Sequence, residues 1–300
     1  MSARPEVEMQ MTVRSALRDG MAQLAAANTP SHALATELLL MHVMGRNRAW
    51  IYAHPEVELS EQASQQFFGL ITKRARGVPT QYLTGKQEFW GLEFEVTPAV
   101  LIPRPETEHV IEVALERIRE CTQAGRDSLH LADVGTGCGC IAITLAKELP
   151  NAQILATDIS ADALKIAMRN AEKHGVAQRV RFVECDLLES EKCESQIFDL
   201  IVSNPPYVAR AEERGLAREV REYEPHTALF GGATGTEIYA RLIAQASKHL
   251  RPGGLLVMEV GYGASERVRA MLGADSWADI RIANDLAGIA RVISAERREK

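Results

Sequence analysis

The sequence predicts an α/β protein in which a doubly wound, mostly parallel sheet forms the larger, carboxyl-terminal part and a small all-α unit precedes it. Three observations predict this. From Leu129 onwards, apolar runs of strand length alternate with helical segments, the pattern of a parallel sheet with helical crossovers. A glycine-rich turn, Gly135-Thr136-Gly137-Cys138-Gly139, follows the first of those runs and opens the first of those helices. Ahead of them, between residue 11 and about residue 76, apolar residues recur at helical spacing.

The helical unit, taken as residues 1–78, begins with Val13, Leu17, Met21 and Leu24 on one helical stripe. Asn28-Thr29-Pro30 interrupts it, Ser31 is placed to cap a second helix from His32 to Met44, and Gly45 is placed to end it. Shorter helices are expected around Ala49–Tyr52 and from Ser60 to Arg76. Residues 79–99 read as a hairpin linker, because Gly85, Gly91 and Pro98 punctuate Glu88-Phe89-Trp90 and the alternating run Leu92–Val96. Residues 100–300 form the α/β domain. It opens on Leu101-Ile102-Pro103-Arg104-Pro105-Glu106-Thr107-Glu108, where two prolines bracket an arginine and stiffen the loop before a helix from His109 to about Cys121.

Within that domain the expected strands are Leu129–Val134, Gln153–Thr157, Val180–Glu184, Phe198–Ser203 and Leu255–Val260, with two weaker ones at Asp279–Ile282 and Ala290–Ser294. Helices are expected at Cys140–Glu148, Asp162–His174, Glu237–Leu250 and near Ala264–Leu272. Arg251-Pro252-Gly253-Gly254 is read as the stop between helix and strand.

Composition bounds the function classes. The 300 residues are 46% apolar and 25% charged, as in a globular protein with a substantial core. No apolar run reaches the roughly 18 residues of a membrane span, and Met1–Gln10 lacks the apolar stretch of a secretory signal. A cytoplasmic protein with reduced thiols is expected, its five cysteines forming no C-x-x-C pair and no metal site. The net charge of −6 argues against a protein whose main task is to grip a nucleic-acid backbone. Residues 1–85 are close to neutral and the remainder carries the acidic excess, which favours a protein or small molecule as partner.

Four stretches carry chemistry. The turn after Asp133-Val134 has the spacing G-x-G-x-G, with Cys140 where a dinucleotide fingerprint needs its last glycine. Glycines there permit a tight turn and close backbone approach to a ligand. This spacing is the one used by class I S-adenosylmethionine enzymes. Asp158 ends the next strand, where a carboxylate can accept from both hydroxyls of a ribose or simply cap the following helix. Cys185-Asp186-Leu187 follows the third strand, with Asp186 placed to accept from an adenine amine and Leu187 to cover the ring, or to form an ordinary turn. Finally Asn204-Pro205-Pro206-Tyr207 ends the fourth strand, since neither proline can continue a ladder. In the order 3-2-1-4-5 that places an amide, a rigid turn and a tyrosine ring across from the glycine turn, at the edge where open α/β sheets bind ligands.

Asn-Pro-Pro-Tyr in this setting resembles the signature of methyltransferases acting on planar, conjugated nitrogens such as adenine N6 and glutamine amides. The wider chain resembles the glutamine methyltransferases of bacterial peptide chain release factors, the HemK/PrmC family. The resemblance runs through Ala35–Leu40, Gln81–Gly85, Glu88–Gly91, Leu101–Glu108, Ser203–Tyr207, Glu224–Leu229 and Asp285–Gly288 with Arg291. It departs at Cys138 and Cys140, where small residues such as serine, threonine or alanine are usual, and at Leu187, where an aromatic residue sometimes stands.

The resemblance implies a Rossmann-like class I methyltransferase domain with a seven-stranded, mostly parallel, doubly wound sheet behind a helical substrate-recognition domain. It implies S-adenosyl-L-methionine as methyl donor, held by Gly135, Thr136, Gly137, Cys138, Gly139, Asp158, Asp186, Leu187 and Asn204. It implies methylation of the amide nitrogen of the glutamine in the Gly-Gly-Gln motif of class 1 release factors; a monomer without stable nucleic-acid binding is expected beside it. The Asn204 side-chain oxygen and the Pro205 carbonyl would accept the two amide hydrogens, Pro206 would stiffen the turn, and Tyr207 would pack on the flat amide. Three rivals share some of these features: a DNA adenine methyltransferase, an NAD-dependent oxidoreductase, and a non-catalytic binding module. Charge, Cys140, and the completeness of the donor and acceptor motifs weigh against them in turn.

Overall fold

A computed structural model describes residues 10–121 and 128–299. The opening segment 1–9, read above as lacking an apolar signal, lies outside the described residues, as does the side chain of Cys121. The chain divides into two compact units, one of residues 1–85 with 218–223 and the other of 86–217 with 224–300. Among the described residues no helix is long and apolar enough to cross a membrane.

In the first unit α1 (Val13–Ala26), α2 (His32–Met44), α3 (Arg48–Ala53) and α4 (Glu61–Ala75) precede the short α5 (Thr80–Thr84). Thr12 and Ser15 form a reciprocal capping box on α1, and Ser60 caps α4 by accepting from the Ala63 N–H at 3.1 Å. Two expectations are corrected here. Ser31 takes a left-handed conformation and makes no side-chain cap. The buried stripe of α1 is Val13, Ala16, Gly20 and Leu24, with Leu17 and Met21 only half-buried. The cause is close helix approach: a Cβ on Gly20 would lie 2.9 Å from Thr36 Cγ2 and 3.0 Å from Phe67 Cζ, so small residues must face the neighbours. Arg74, buried at the end of α4, donates to the Val78 carbonyl at 3.1 Å and pairs with Glu219 at 2.6 Å. That pair ties the helix Arg218–Tyr223 into this unit.

The second unit begins with the antiparallel hairpin β1 (Lys86–Phe89) and β2 (Leu92–Glu95). Both turn residues, Trp90 and Gly91, have positive φ, as a two-residue hairpin turn requires. Asn170 fastens the hairpin by accepting from Glu95 N and donating to Glu95 O, at 2.8 and 3.0 Å. After α6 (Glu108–Cys121) come β3 (Leu129–Val134), α7 (Cys140–Glu148), β4 (Ala152–Asp158), α8 (Ala161–Lys173), β5 (Val180–Glu184), the short α9 (Glu191–Glu194) and β6 (Phe198–Ser203). The chain continues through β7 (Val208–Ala209), α10 (the Arg218–Tyr223 helix), α11 (His226–Leu229), β8 (Phe230–Gly232), α12 (Glu237–His249), β9 (Leu250–Glu259), α13 (Ser265–Met271), β10 (Trp277–Asn284) and β11 (Ala290–Arg297).

The main sheet has seven strands in the order β10-β11-β9-β6-β3-β4-β5. Neighbours from β9 to β5 are parallel, while β11 runs antiparallel to β9 and to β10. The central strands are buried on both faces, so β3 ends in four consecutive buried residues and β6 in another four. The expected stop at Arg251–Gly254 is corrected: β9 starts at Leu250, and its register to β6 jumps from Phe198↔Leu250 to Leu200↔Leu255. Pro252 has no N–H to give and Gly253 takes φ 70°, so these residues form a bulge inside the strand rather than a break before it. The reversal of strand order lies between β3 and β6, and the carboxyl ends of both open onto one cavity.

Candidate active site

The cavity encloses about 360 Å³. Gly135, Gly137, Asp158, Ile159, Asp186, Leu187, Asn204 and Pro206 line it, together with Val100 and Leu101 from the proline-bracketed loop. Thr136, Cys138, Gly139 and Pro205 are buried and Tyr207 half-buried, all outside that lining.

The glycine turn is built from the strand beneath it. Gly135 and Thr136 donate their backbone N–H groups to the Thr157 carbonyl at 2.9 and 2.8 Å. The Thr136 hydroxyl donates to Asp133 Oδ2 at 2.7 Å, and the Ala142 N–H at the start of α7 reaches the same oxygen at 3.0 Å. Asp133 Oδ1 is buried and has no partner. Burial pushes this carboxyl up to about 7, against the bonds from Thr136 and Ala142. Gly139, at φ 86°, would set a Cβ 2.9 Å from Ile143 Cδ1 and 3.2 Å from the Ala167 Cβ. It lets α7 and α8 close up behind the turn.

Asp158 accepts from the Gly137 N–H through Oδ2 and from the Ser160 N–H through Oδ1, both at 2.9 Å. Ser160 caps α8 by accepting from the Ala163 N–H at 3.2 Å, so that capping role does not fall to Asp158. Burial raises the Asp158 carboxyl above its ordinary range, and the backbone donors of Ser160, Gly137 and Ile159 oppose the shift. Leu187 is held in a left-handed conformation, φ 54°, with its carbonyl accepting from the Thr157 hydroxyl at 2.8 Å. Asp186 pairs with Arg241 of α12 at 2.8 Å, a partner that local sequence gave no sign of.

At the end of β6, Ser203 donates its hydroxyl to the Val134 carbonyl at 2.6 Å and locks the tips of β6 and β3 together. Asn204 Nδ2 then donates to Thr107 Oγ1 at 3.0 Å, and Thr107 donates to Glu259 Oε2 at 2.6 Å. The Tyr207 hydroxyl donates to the other oxygen, Oε1, at 3.3 Å. Glu259, at the tip of β9, is 2% exposed. Burial raises its carboxyl, opposed by the bonds from Thr107 and Tyr207 and by the charge of Arg291. The Tyr207 ring lies where a Cβ on Gly261 would meet it at 2.8 Å, and a Cβ on Gly231 would strike the Pro206 carbonyl oxygen at 2.4 Å. The proline turn is therefore seated on backbone that tolerates no side chain. Across the mouth, Glu224 accepts from the Ile102 N–H at 3.3 Å and from Arg104 at 2.5 Å, fastening the proline-bracketed loop. Arg210 stacks over the Phe230 ring at 4.4 Å.

Sequence reasoning missed Glu259, Arg241 and the two glycines, and it named Thr107 and Glu224 only within the stretches that carry the resemblance, with no role of their own in the site. One signal was available for Glu259: a carboxylate closing the apolar run Leu255–Met258, where a buried strand emerges at the ligand-binding edge. The pairings of Thr107, Glu224 and Arg241 leave no local pattern. Among the described residues there is no group of three or more His, Cys, Asp or Glu side chains arranged to hold a metal ion.

A glycine turn with a carboxylate on the next strand tip, facing a strand exit of Asn-Pro-Pro-Tyr, defines a methyltransferase of the doubly wound class. The fold agrees: the hMettl16 catalytic domain, solved with an RNA hairpin, superimposes with a TM-score of 0.56 at 20% identity, covering 77% of this chain and 83% of that one. A T. thermophilus 16S rRNA methyltransferase, solved with AdoMet and guanosine, superimposes with a TM-score of 0.50 at 19% identity over 71% of this chain and 50% of its own. Family models for a PrmC N-terminal domain and a methyltransferase small domain match residues 15–85 and 115–221. Release factor glutamine methyltransferases from Koribacter versatilis and Geobacter sulfurreducens are 44% and 40% identical to the chain, over 94% and 98% of its length and 98% of theirs. The chain belongs to the release factor glutamine methyltransferase family.

Proposed function

We propose that this protein transfers a methyl group from S-adenosyl-L-methionine to the side-chain amide nitrogen of the glutamine in the Gly-Gly-Gln motif of bacterial class 1 release factors. The observation that carries the reading is similarity at 40–44% identity over nearly the whole chain to relatives of that name. The geometry of the cavity supports it. Gly135 and Gly137 have open space where a Cβ would stand, which suits close backbone approach by an amino-acid moiety. Asp158, which takes the Gly137 donor on one oxygen and the Ser160 donor on the other, keeps further lone pairs for two ribose hydroxyls. Leu187 and Ile159 offer apolar surface for a base, and Asp186 an acceptor for its amine. Thr136, Cys138 and Gly139 then serve the donor by shaping the turn from behind.

S-adenosyl-L-methionine supplies an electrophilic methyl carbon; the protein's task lies on the acceptor side. An amide nitrogen is a weak nucleophile because its lone pair is delocalised into the carbonyl. Asn204 Oδ1 and the Pro205 carbonyl accept its two hydrogens, orienting the nitrogen and drawing its lone pair back for in-line attack. Pro205 and Pro206 hold that carbonyl in place at low entropic cost. Tyr207, anchored on Glu259, borders the acceptor, and the proton leaves to solvent after transfer. No metal enters this scheme. The same reading makes the protein a cytoplasmic monomer that recognises release factors through its helical domain, residues 1–78, and binds nucleic acid only weakly.

Incubating the purified chain with labelled donor and a release factor, then mapping the labelled peptide, tests the reading. Label on the Gly-Gly-Gln glutamine is expected. Label on another residue, or transfer to an oligonucleotide instead, would overturn it.

A further inference from the structure

We propose that Thr107 and Glu259 are positioning residues that decide which way the Asn204 amide faces, and so whether the site presents an acceptor or a donor to the substrate nitrogen. The proposal rests on the reading of Asn204 as hydrogen-bond acceptor. A primary amide has nearly the same shape in its two flipped orientations, so only its partners distinguish them. The partner of Asn204 is a hydroxyl with a single hydrogen to give. That hydrogen is committed to Glu259 Oε2 at 2.6 Å, so Thr107 turns only lone pairs towards Asn204. The NH2 group therefore faces Thr107, at 3.0 Å, and Oδ1 is left for the substrate. In the opposite orientation an amide oxygen would meet a hydroxyl lone pair, and the substrate NH2 would meet another NH2.

The polarity starts at Glu259, which when ionised can only accept; the bonds from Thr107 and Tyr207 and the charge of Arg291 favour that form against burial. Both its oxygens take donors, Thr107 on one and Tyr207 on the other, and at 2% exposure bulk solvent does not reach it. Its strand tip is fixed as well, because the Tyr239 hydroxyl donates to the Glu259 carbonyl at 3.1 Å and accepts from the Gly261 N–H at 3.2 Å. The chain of donors thus runs from Asn204 through Thr107 into a buried carboxylate, joining the proline-bracketed loop, the end of β6 and the end of β9.

Thr107→Val keeps the shape and removes the hydroxyl, while Thr107→Ser keeps the hydroxyl. With a release factor as substrate, Thr107→Val is expected to lower kcat by about 10–100-fold with unchanged KM and unchanged donor affinity by calorimetry. Thr107→Ser should return kcat to within about threefold of wild type, the spread expected of a conservative change. Glu259→Gln, which brings one acceptor oxygen to two donors, should also lower kcat, and it carries the test if Thr107→Val does not fold. An independent reading comes from the isotope-labelled side-chain NH2 signals of Asn204 without donor present, identified by their loss in Asn204→Asp. In wild type and Thr107→Ser one of the two protons should be shifted downfield by its hydrogen bond, and in Thr107→Val that shift should vanish. Wild-type kcat in Thr107→Val and Glu259→Gln, or Thr107→Ser as impaired as Thr107→Val, would overturn the proposal while leaving the methyltransferase activity standing. A wild-type chain that leaves the glutamine unmethylated would overturn both.

Discussion

Asp158 Oδ2 accepts the backbone hydrogen of Gly137 at 2.9 Å, so the tip of β4 holds the glycine turn that follows β3. One carboxylate shapes the turn and also faces the cavity. Asp158→Ala is expected to weaken donor binding by about 10–100-fold, the loss of charge-assisted hydrogen bonds. Calorimetric titration of the donor checks this, and an unchanged dissociation constant would remove Asp158 from the donor site.

Asn204 sits on the opposite wall. Asn204→Ala removes the acceptor without touching the donor's wall, and a loss of about 10²–10³ in kcat is expected, as when a single aligned transition-state hydrogen bond is removed. Donor affinity should fall only a little. Normal turnover in this variant would sink the acceptor role.

The loop that carries Thr107 is itself fastened by Glu224, whose side chain is 1% exposed and accepts from Ile102 N and Arg104. Glu224→Ala leaves the Ile102 N–H and part of the Arg104 guanidinium without a partner. A destabilisation of about 1–3 kcal/mol is expected, read from urea unfolding, together with a raised KM as the loop loosens. A variant as stable as wild type would show that the loop does not depend on this clamp.

Asp133 gives a pH signature. Its carboxyl is raised from 3.8 to about 7 in the folded protein, so between those values the folded state holds a proton that the unfolded chain has released. Stability from this group is therefore full below about pH 4 and declines as pH rises towards about 7. Asp133→Asn keeps an oxygen for Thr136 and Ala142 and has no proton to lose. Urea midpoints of wild type relative to this variant should fall between about pH 4 and about pH 7; parallel profiles would contradict the assignment.

Much of this architecture is legible in local sequence because local forces decide it. The strands Leu129–Val134, Val180–Glu184 and Phe198–Ser203 and the helix Cys140–Glu148 have the same limits in the structure as in the periodicity, since runs buried on both faces and a turn of glycines admit few alternatives. Where a second element intervenes, the local pattern misleads. Gly20 faces the neighbouring helices although Leu17 and Met21 look the better core residues, because two helices approach too closely there for larger side chains. β9 continues through a proline and two glycines because its partners on both sides hold it beyond the bulge.

The alternating fold, the glycine turn, the strand exit at Asn204-Pro205-Pro206-Tyr207 and, through family resemblance, the chemistry to expect of them are legible in the chain alone. Each depends on periodicity, on backbone torsions, or on contiguous motifs. What surrounds the Asn204 amide depends on long-range packing. Thr107 lies 97 residues before Asn204, and Glu259 lies 152 residues beyond Thr107. Nothing local in the chain links a loop threonine to a strand-end glutamate. Their hydrogen bonds arise because the sheet order sets β6 beside β9, and because a carboxylate buried there must take its donors from whatever the fold brings within reach.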